Sequence, residues 1–301
     1  MRTSVLRSDG ISVVVPVYEE AESVLPLVER LEKALSGRKF EVVLVDDGSG
    51  QATAKALSEA EERFGFVRVV RLMRHRGKGV ALLAGYASSS HPIIVTLDAD
   101  LQNPPEEVEK LLKALEKGAD VVVGWRKERE DNWWRRLQGW LFNAALRILG
   151  SPVRDANCGL RAFRREVVES PLCATSRYRI LAPLAMMAGF SVTEVEVKHR
   201  RRRWGRSKFG FLRLFAALGD FALLCAVHLT RRRRLTYGLS VTFALLATIM
   251  LLLNPCQVAL GMCFAVVSLI LWALATTTPE NLLKPFTNKI APTGVEPAPR
   301  A

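Results

Sequence analysis

Two apolar spacings alternate along the first two hundred residues. Ile11–Val15, Glu41–Val45, Val67–Leu72, Ile93–Leu97 and Val121–Val123 are short, β-branched runs that predict buried strands. Between them the apolar residues recur at helical spacing. Glu22–Leu35 puts Val24, Leu27, Val28, Leu31 and Leu35 on one face, and Thr53–Phe64 and Val80–Ser88 follow the same pattern. Pro104-Pro105-Glu106-Glu107 reads as a helix start, with prolines in the first turn and acids at the positive end of the dipole, and the helix runs to about Lys117. Strands that are apolar throughout and alternate with helices imply an α/β fold, a mostly parallel sheet flanked by helices. Beyond Gly124 the pattern loosens into a Trp- and Arg-rich helix over Trp133–Leu149, a strand region over Asp155–Arg165, further helices and a strand at Val192–Val197.

A different pattern takes over near the end. No Asp, Glu, Lys or Arg occurs in the 45 residues from Leu235 to Pro279. A bilayer core takes roughly 20 helical residues, so the stretch is too long for one span, and Asn254-Pro255 divides it into 235–254 and 258–276. Arg231–Arg234 precede the first half, and Lys284 and Lys289 follow the second. The positive-inside tendency makes both flanks cytoplasmic, so a two-helix transmembrane hairpin returns the chain to its starting side. Phe209–Thr230, apolar with basic flanks, predicts an interfacial helix. The expected organisation is a cytoplasmic domain over 1–208, a juxtamembrane basic helix region over 209–234, two spans within 235–278, and a mobile cytoplasmic tail over 279–301.

Composition changes this picture only in one region. There are 43 basic and 30 acidic residues among 301, a formal charge of +13. Between Lys198 and Arg234 lie twelve basic residues and one acid, Asp220, so most of the excess is a belt joining a nearly neutral domain to the uncharged stretch. Hydrophobic residues at 49% exclude a disordered chain. Ile11–Val15 is too short, and too soon ended by Pro16, for a signal peptide. The five cysteines, Cys158, Cys173, Cys225, Cys256 and Cys263, show no CxxC spacing; they read as reduced and structural, with no zinc site.

In open α/β sheets, ligands bind beyond the carboxyl ends of the strands. Three acidic clusters fall there: Glu19-Glu20, Asp46-Asp47 and Asp98/Asp100. The sharpest is Leu97-Asp98-Ala99-Asp100-Leu101-Gln102. Two carboxylates one residue apart after a buried strand can both reach a divalent cation and leave positions for a diphosphate, and Gln102 adds a neutral oxygen. The competing reading is a helix-capping cluster before Pro104. Asp46-Asp47-Gly48-Ser49 reads either as a turn with Asx geometry or as carboxylates receiving a nucleobase or ribose. Gly77-Lys78-Gly79 is not a P-loop, since no Ser or Thr follows the lysine and the first glycine is missing, and no GxGxxG follows the first strand.

Asp155, Cys158, Gly159 and Arg161 form a compact polar and glycine cluster; its plain reading is a strand-entry turn. The segment His199-Arg200-Arg201-Arg202-Arg203-Trp204-Gly205-Arg206-Ser207-Lys208 has three readings. It suits an anionic-lipid patch, at about 1 kcal/mol per basic residue near the surface. It suits electrostatic nucleic-acid binding. It also suits phosphate clamps inside a site, where arginine offers bidentate geometry. The acidic strand ends disfavour nucleic acid, because they repel a polyanion from the same face.

Seven segments together resemble family-2 glycosyltransferases of the Rossmann-like GT-A fold, in particular polyprenyl-phosphate sugar transferases similar to dolichol-phosphate mannose synthase. They are VVVPVYEE (13–20), VLVDDGSG (43–50), RGKGVALLAG (76–85), LDADLQNPPE (97–106), VVGWR (122–126), DANCGLRAF (155–163) and HRRRRWGRSKFG (199–210), in the family's order. Asn103 stands where the family usually has Asp, and Trp125 where a small residue is common. The resemblance implies that Pro16, Tyr18, Glu20 and Asp47 line the nucleotide-sugar pocket, with Asp46 beside them. It implies that Asp98, Asp100 and Gln102 hold Mg²⁺ or Mn²⁺ and the donor diphosphate, and that Arg126 with Arg135 or Arg136 meets the acceptor phosphate. Arg202, Ser207 and Lys208 would close over the phosphates, and Asp155 would support the site.

The chemistry of such a transfer agrees with these residue types. A polyprenyl phosphate has a second pKa near 6, so its oxygen is a ready nucleophile at neutral pH and no strong general base is needed. Positioning and charge neutralisation remain, which acids with a cation and arginines supply. Direct displacement predicts inversion. The expected partners are a nucleotide-sugar (UDP- or GDP-linked), undecaprenyl or dolichyl phosphate and membrane lipids, without nucleic acid, at a prokaryotic plasma membrane. A non-catalytic membrane-tethered basic module is the alternative from another class. The same fold with a different acceptor is a third.

Overall fold

The computed structural model describes residues 10–127, 139–140, 143–144, 146–148, 150–151, 153–200, 212–253 and 258–283. Side chains are described throughout these ranges except at 212–217, 233, 249–253 and 258–261. The chain divides into two compact units, one up to Ala217 and one over Leu218–Pro285.

The first unit is built on β1 (Ile11–Val17), α1 (Ala21–Ala34), β2 (Phe40–Asp46), α2 (Gln51–Arg63), β3 (Val67–Arg71), α3 (Lys78–Ser88), β4 (Ile93–Thr96), α4 (Val108–Glu116), β5 (Val121–Trp125), β6 (Arg161–Arg164), α5 (Arg165–Glu169), α6 (Leu181–Met187) and β7 (Val192–Glu196). Seven strands form one sheet in the order β3-β2-β1-β4-β6-β5-β7. The central strands are apolar throughout because both of their faces are covered: Val13, Val14, Val15, Val42–Val45, Ile94 and Val95 have no exposed surface. Val24, Leu27, Val28 and Leu31 of α1 and Leu111 and Leu115 of α4 are equally buried, so the helical stripes seen in the sequence are the faces turned to the sheet.

β1 pairs parallel to β2 and to β4, β2 to β3, and β5 to β7. β6 is antiparallel to both β4 and β5, so it alone runs against the other six. The expected mostly parallel sheet is present, with one reversed strand. Pro16 shows how the sheet opens. Val14 accepts a bond from the Leu97 N–H on the β4 side. Pro16, two residues further, faces the same side beyond the last β1–β4 pair, Val14 and Thr96. Its missing N–H therefore costs no ladder bond, and β1 and β4 are free to part at that edge.

Some boundaries differ from those read in the sequence. The helix expected from Pro104 begins as a 3₁₀ turn over Pro105–Glu107 before α4, because Pro104 precedes a proline and is held extended at ψ 131°. The strand expected over Asp155–Arg165 is confined to Arg161–Arg164; the preceding residues form a turn, in which the Cys158 N–H reaches the Asp155 carbonyl at 3.2 Å. β5 continues past Val123 because β7 pairs with it as far as Trp125. The helix read over Trp133–Leu149 lies mostly outside the described residues; 143, 144 and 146–148 within it are helical.

The second unit holds α7 (Leu212–Arg231, whose first turns belong to the first unit), α8 (Arg233–Leu253), α9 (Val258–Thr276) and α10 (Pro279–Leu283). α8 and α9 cover the two stretches read as spans and pack along each other. Ser240 Oγ donates to the Ser268 carbonyl at 3.0 Å, and Ser268 Oγ donates back to the Ser240 carbonyl at 2.9 Å. Among the described residues no helix is long and apolar enough to cross a membrane. Both helices run past the described side chains, into 249–253 and 258–261.

Candidate active site

With six strands pointing one way and β6 the other, the carboxyl ends of β1, β2, β4, β5 and β7 and the start of β6 share one edge. Every motif singled out in the sequence of the first unit emerges there. β1 delivers Tyr18–Glu20, β2 Asp46-Asp47, β4 Asp98–Gln102, β5 Arg126, β6 Cys158–Arg161 and β7 the beginning of the basic segment.

Asp46 and Asp47 have separate jobs. Asp46 Oδ1 accepts the Ser49 N–H at 2.9 Å, a turn closed one residue further on than an Asx turn. Asp47 reaches sideways: Oδ1 accepts the Arg76 N–H at 2.7 Å and Oδ2 the Gly77 N–H at 2.9 Å, fixing the entry to α3. His75 Nδ1 lies 3.0 Å from Asp47 Oδ2, and its ring stacks on Tyr18 with centroids 4.0 Å apart. Burial pushes the Asp47 carboxyl above its ordinary value, against the pull of these N–H groups and His75. Gly48 is required as glycine: φ is +72°, and a Cβ would stand 2.5 Å from the backbone of Arg74. Glu20 is buried at the start of α1, its carbonyl accepting from Ser23, and Pro16 is half-buried in β1. Glu19 links the first two loops, accepting the Gly50 N–H at 2.7 Å.

Asp98 is held between a cation and a glycine loop. The Lys78 ammonium, from the first turn of α3, bonds to its Oδ1. On the other side Gly159 packs so closely that a Cβ there would be 2.3 Å from Oδ2. Thr96 Oγ1 donates to the Gly159 carbonyl at 2.8 Å and holds that loop in place. Burial pushes the Asp98 carboxyl up, but Lys78, with Arg126 and Arg161 beyond it, outweighs burial and holds it below the ordinary carboxylate range. Asp100 Oδ1 accepts the Gln102 N–H at 3.2 Å around Leu101, which sits at φ +57°. Glu19 at φ +51° is the other non-glycine residue in this region among those described. Both left-handed residues lie in loops of this edge, where a side chain costs about 1–2 kcal/mol in that conformation.

Arg126 forms a buried fork with Asp155: Nε to Oδ2 at 2.7 Å and Nη2 to Oδ1 at 3.0 Å, with the two side chains 10% and 4% exposed. Asp155 thereby fixes the orientation of the Arg126 guanidinium. Burial pushes the neighbouring Cys158 thiol up to about 11, so it stays protonated at neutral pH. Arg161 is also buried and holds the turn before its own strand, donating to the Cys158 carbonyl at 3.0 Å and the Ala156 carbonyl at 2.6 Å.

The basic segment begins docked on this edge. The Lys198 N–H meets Glu107 Oε2 at 3.3 Å, and the Arg200 N–H donates to the Gln102 carbonyl at 2.8 Å. Arg202, Ser207 and Lys208 lie outside the described residues, as do Arg135 and Arg136. Pro16, Tyr18, Glu20, Asp46, Asp47, Asp98, Asp100, Gln102, Arg126 and Asp155 all come to the shared edge.

Sequence reasoning missed Lys78 and His75; Arg161, read in its cluster as part of a strand-entry turn, holds that turn. The signal for Lys78 was present in Gly77-Lys78-Gly79 and was set aside together with the P-loop. A metal ion fits the residues present. Among the described residues no three His, Cys, Asp or Glu side chains cluster as a closed metal cage. Asp98, Asp100 and Gln102 offer a few hard oxygen donors, which suits Mg²⁺ or Mn²⁺ completed by phosphate and water.

Comparison with known proteins decides the family. The profile of Glycosyl transferase family 2 matches residues 12–170, more than half of the chain.

The chain belongs to glycosyl transferase family 2.

The expectation drawn from the seven motifs is therefore borne out. The chain is 43% identical over 216 residues to the undecaprenyl-phosphate 4-deoxy-4-formamido-L-arabinose transferase of Pseudomonas aeruginosa (strain LESB58), covering 70% of this chain and 64% of that protein. The enzyme of that name from Enterobacter sp. (strain 638) is 37% identical over 255 residues, covering 83% of this chain and 77% of its own. This chain thus spans just under two thirds of the first of these relatives. Among solved structures, glucosyl-3-phosphoglycerate synthase from Mycobacterium tuberculosis superimposes with a TM-score of 0.57 at 20% identity, over 76% of this chain and 84% of that one. A complex of the same synthase with Mn²⁺ and UDP-glucose gives 0.55 at 21% identity, over 75% and 81%. At such identities the likeness is one of fold, and it makes the family-2 domain GT-A-like.

Proposed function

We propose that this chain transfers a sugar from a nucleotide-sugar to a polyprenyl phosphate at a membrane surface, with inversion at the anomeric carbon. The observation that carries the reading is the convergence on one sheet edge of Asp98 and Asp100, the Asp47–His75–Tyr18 group, the Arg126–Asp155 fork and the docked start of the basic segment. The relatives named as undecaprenyl-phosphate sugar transferases support the acceptor, and a structure of like fold in complex with Mn²⁺ and UDP-glucose is in keeping with the donor.

Each group has a place in this chemistry. Tyr18, His75 and Asp47 form the nucleoside end, with Pro16, Glu20 and Asp46 framing it. A divalent cation held by Asp98, Asp100 and Gln102 would neutralise charge on the leaving diphosphate. Arg126, fixed by Asp155, faces the same edge as a rigid cation for the attacking phosphate, with Arg135 and Arg136 following it in the chain. Arg202, Ser207 and Lys208, further along the sequence from the Arg200 that is anchored at Gln102, would close over the phosphates. The nucleophile is an ionised phosphate oxygen, so orientation and charge carry the step.

The membrane setting is part of the proposal. Helices α8 and α9 turn Leu235, Leu239, Val241, Leu245, Leu246, Met262, Val266, Leu269, Ile270 and Trp272 outward while the Ser240–Ser268 pair faces inward. Thr242, Thr248 and Thr276 donate to carbonyls of their own helices and Thr277 to the Ala273 carbonyl of α9, so these four hydroxyls do not depend on water. That arrangement suits two spans in lipid, within 235–254 and 258–276, with Arg231–Arg234 on the cytoplasmic face.

The test is to incubate the purified chain with Mg²⁺ or Mn²⁺, a panel of UDP- and GDP-sugars and undecaprenyl phosphate. A sugar-lipid that forms only with the lipid phosphate supports the reading. Transfer to a soluble acceptor without any lipid phosphate refutes the acceptor assignment.

A further inference from the structure

Lys78 is placed where a metal-binding carboxylate is least expected to tolerate a cation. It opens α3 directly after Gly77, which sits at φ +90°. Three contacts set its position. The Asp47 carboxylate grips the N–H groups of Arg76 and Gly77 just before it. Gly79, just after it, is pressed so tightly on the Ser176 carbonyl that a Cβ would stand 2.0 Å from the oxygen. The ammonium itself lies 5.0 Å over the centroid of Tyr178 and bonds to Asp98 Oδ1. The side chain is 21% exposed, so the pair is partly shielded from water.

A carboxylate already paired with an ammonium is a poor ligand for a dication, since the added charge is repelled at close range in a medium of reduced dielectric. Asp98 also feels Arg126 and Arg161. An anion that draws the ammonium away removes the obstacle, and a diphosphate is such an anion. The four-carbon lysine stem can swing from a carboxylate to a phosphate, and an ammonium is a compact point charge that suits either.

We propose that Lys78 is an internal counter-ion that makes divalent-cation binding at Asp98 conditional on the nucleoside diphosphate. Without donor it occupies Asp98 and keeps the metal off; with donor it moves to a diphosphate oxygen and releases Asp98 to the metal. Lys78 is a positioning residue: it sets the order of assembly and holds the leaving group. The inference rests on the donor-site reading above.

The experiment is a titration of the whole 301-residue chain, solubilised in detergent, with Mn²⁺, following unbound Mn²⁺ by electron paramagnetic resonance, alone and with UDP or GDP. The unmodified protein is expected to bind Mn²⁺ weakly alone and strongly with the nucleotide. Lys78→Met is expected to bind Mn²⁺ alone roughly tenfold more tightly, the scale of one close charge at a partly shielded site, and to lose a similar factor of the gain that the nucleotide brings. Lys78→Arg is expected to keep the coupling. Unchanged Mn²⁺ affinity in a folded Lys78→Met protein overturns the inference. So does tight nucleotide-free binding by the unmodified protein, a measurement that needs no variant. If Asp98→Ala with Asp100→Ala still binds Mn²⁺ and nucleotide together, the donor-site reading itself falls. If that double variant loses binding while Lys78→Met changes nothing, only the role of Lys78 falls.

Discussion

A methyl group on Gly159 would stand 2.3 Å from Oδ2 of Asp98. The first residue of β6's approach and the first acid after β4 are thus fitted to each other without room for one carbon. Gly159→Ala is expected to push the Asp98 carboxylate away from its place. Because the clashing atoms are the end of a side chain, thermal melting should move little while sugar transfer falls by at least about tenfold. Gly79→Ala meets a backbone carbonyl instead and is expected to lower the melting temperature clearly. Melting and turnover measured together on both variants check the contrast.

Asp98→Ala and Asp100→Ala remove the two carboxylates that follow β4. Each is expected to lower transfer by about a hundredfold or more, the usual scale for losing a charge-stabilising group at a reacting centre. Product assays with Mg²⁺ and with Mn²⁺ read the effect. Sugar-lipid formation that survives the double substitution would falsify the site assignment.

Asp155→Asn leaves the Arg126 guanidinium buried without its carboxylate. The expected cost is about 3 kcal/mol, because a buried pair broken on one side strands a charge. Replacing both partners with apolar residues, Arg126→Met with Asp155→Leu, is expected to recover much of the stability and none of the activity. Thermal or denaturant unfolding of single and double variants separates the two effects.

Acid should weaken the first unit partly through Glu41. Burial pushes this carboxyl up, but Ser12 Oγ at 2.6 Å, the Ser90 N–H and Arg68 Nη2 at 2.6 Å outweigh burial and hold it below its ordinary 4.5. A carboxyl lowered on folding stabilises above its ordinary value, and that contribution is lost as pH falls through the lowered one. Glu41→Gln is therefore expected to be less stable at neutral pH and to show a flatter decline below about pH 4.5. Melting temperatures across pH 3 to 7 provide the check.

Much of this architecture was legible from residues alone. Ile11–Val15 and Glu41–Val45 read as strands because burial on both faces leaves a continuous apolar run. Asp98 and Asp100 read as a site because they directly follow another such run. The direction of β6 was not legible, since Arg161–Arg164 carries the same side chains whichever way it runs, and only its neighbours β4 and β5 define the reversal. Nor was the pairing of Arg126 with Asp155, which are distant in the chain and meet through that reversal. Lys78 escaped for another reason: Gly77-Lys78-Gly79 was tested against one phosphate-binding geometry and failed it, while its actual partner is a carboxylate just beyond the end of the next strand.

The reversed strand has a consequence for how such a protein can change. β5 leaves the sheet at the edge bearing the acids, and β6 re-enters at that same edge beside it. The chain between Arg126 and Leu160 therefore leaves and rejoins the sheet at two adjacent anchors, and no strand must move to accommodate its length. Residues can be gained, lost or exchanged there while Asp47, Asp98 and Asp100 keep their places. In the proposed reaction, the donor residues would thus be fixed by the sheet, while the stretch that follows Arg126 could be exchanged for another acceptor.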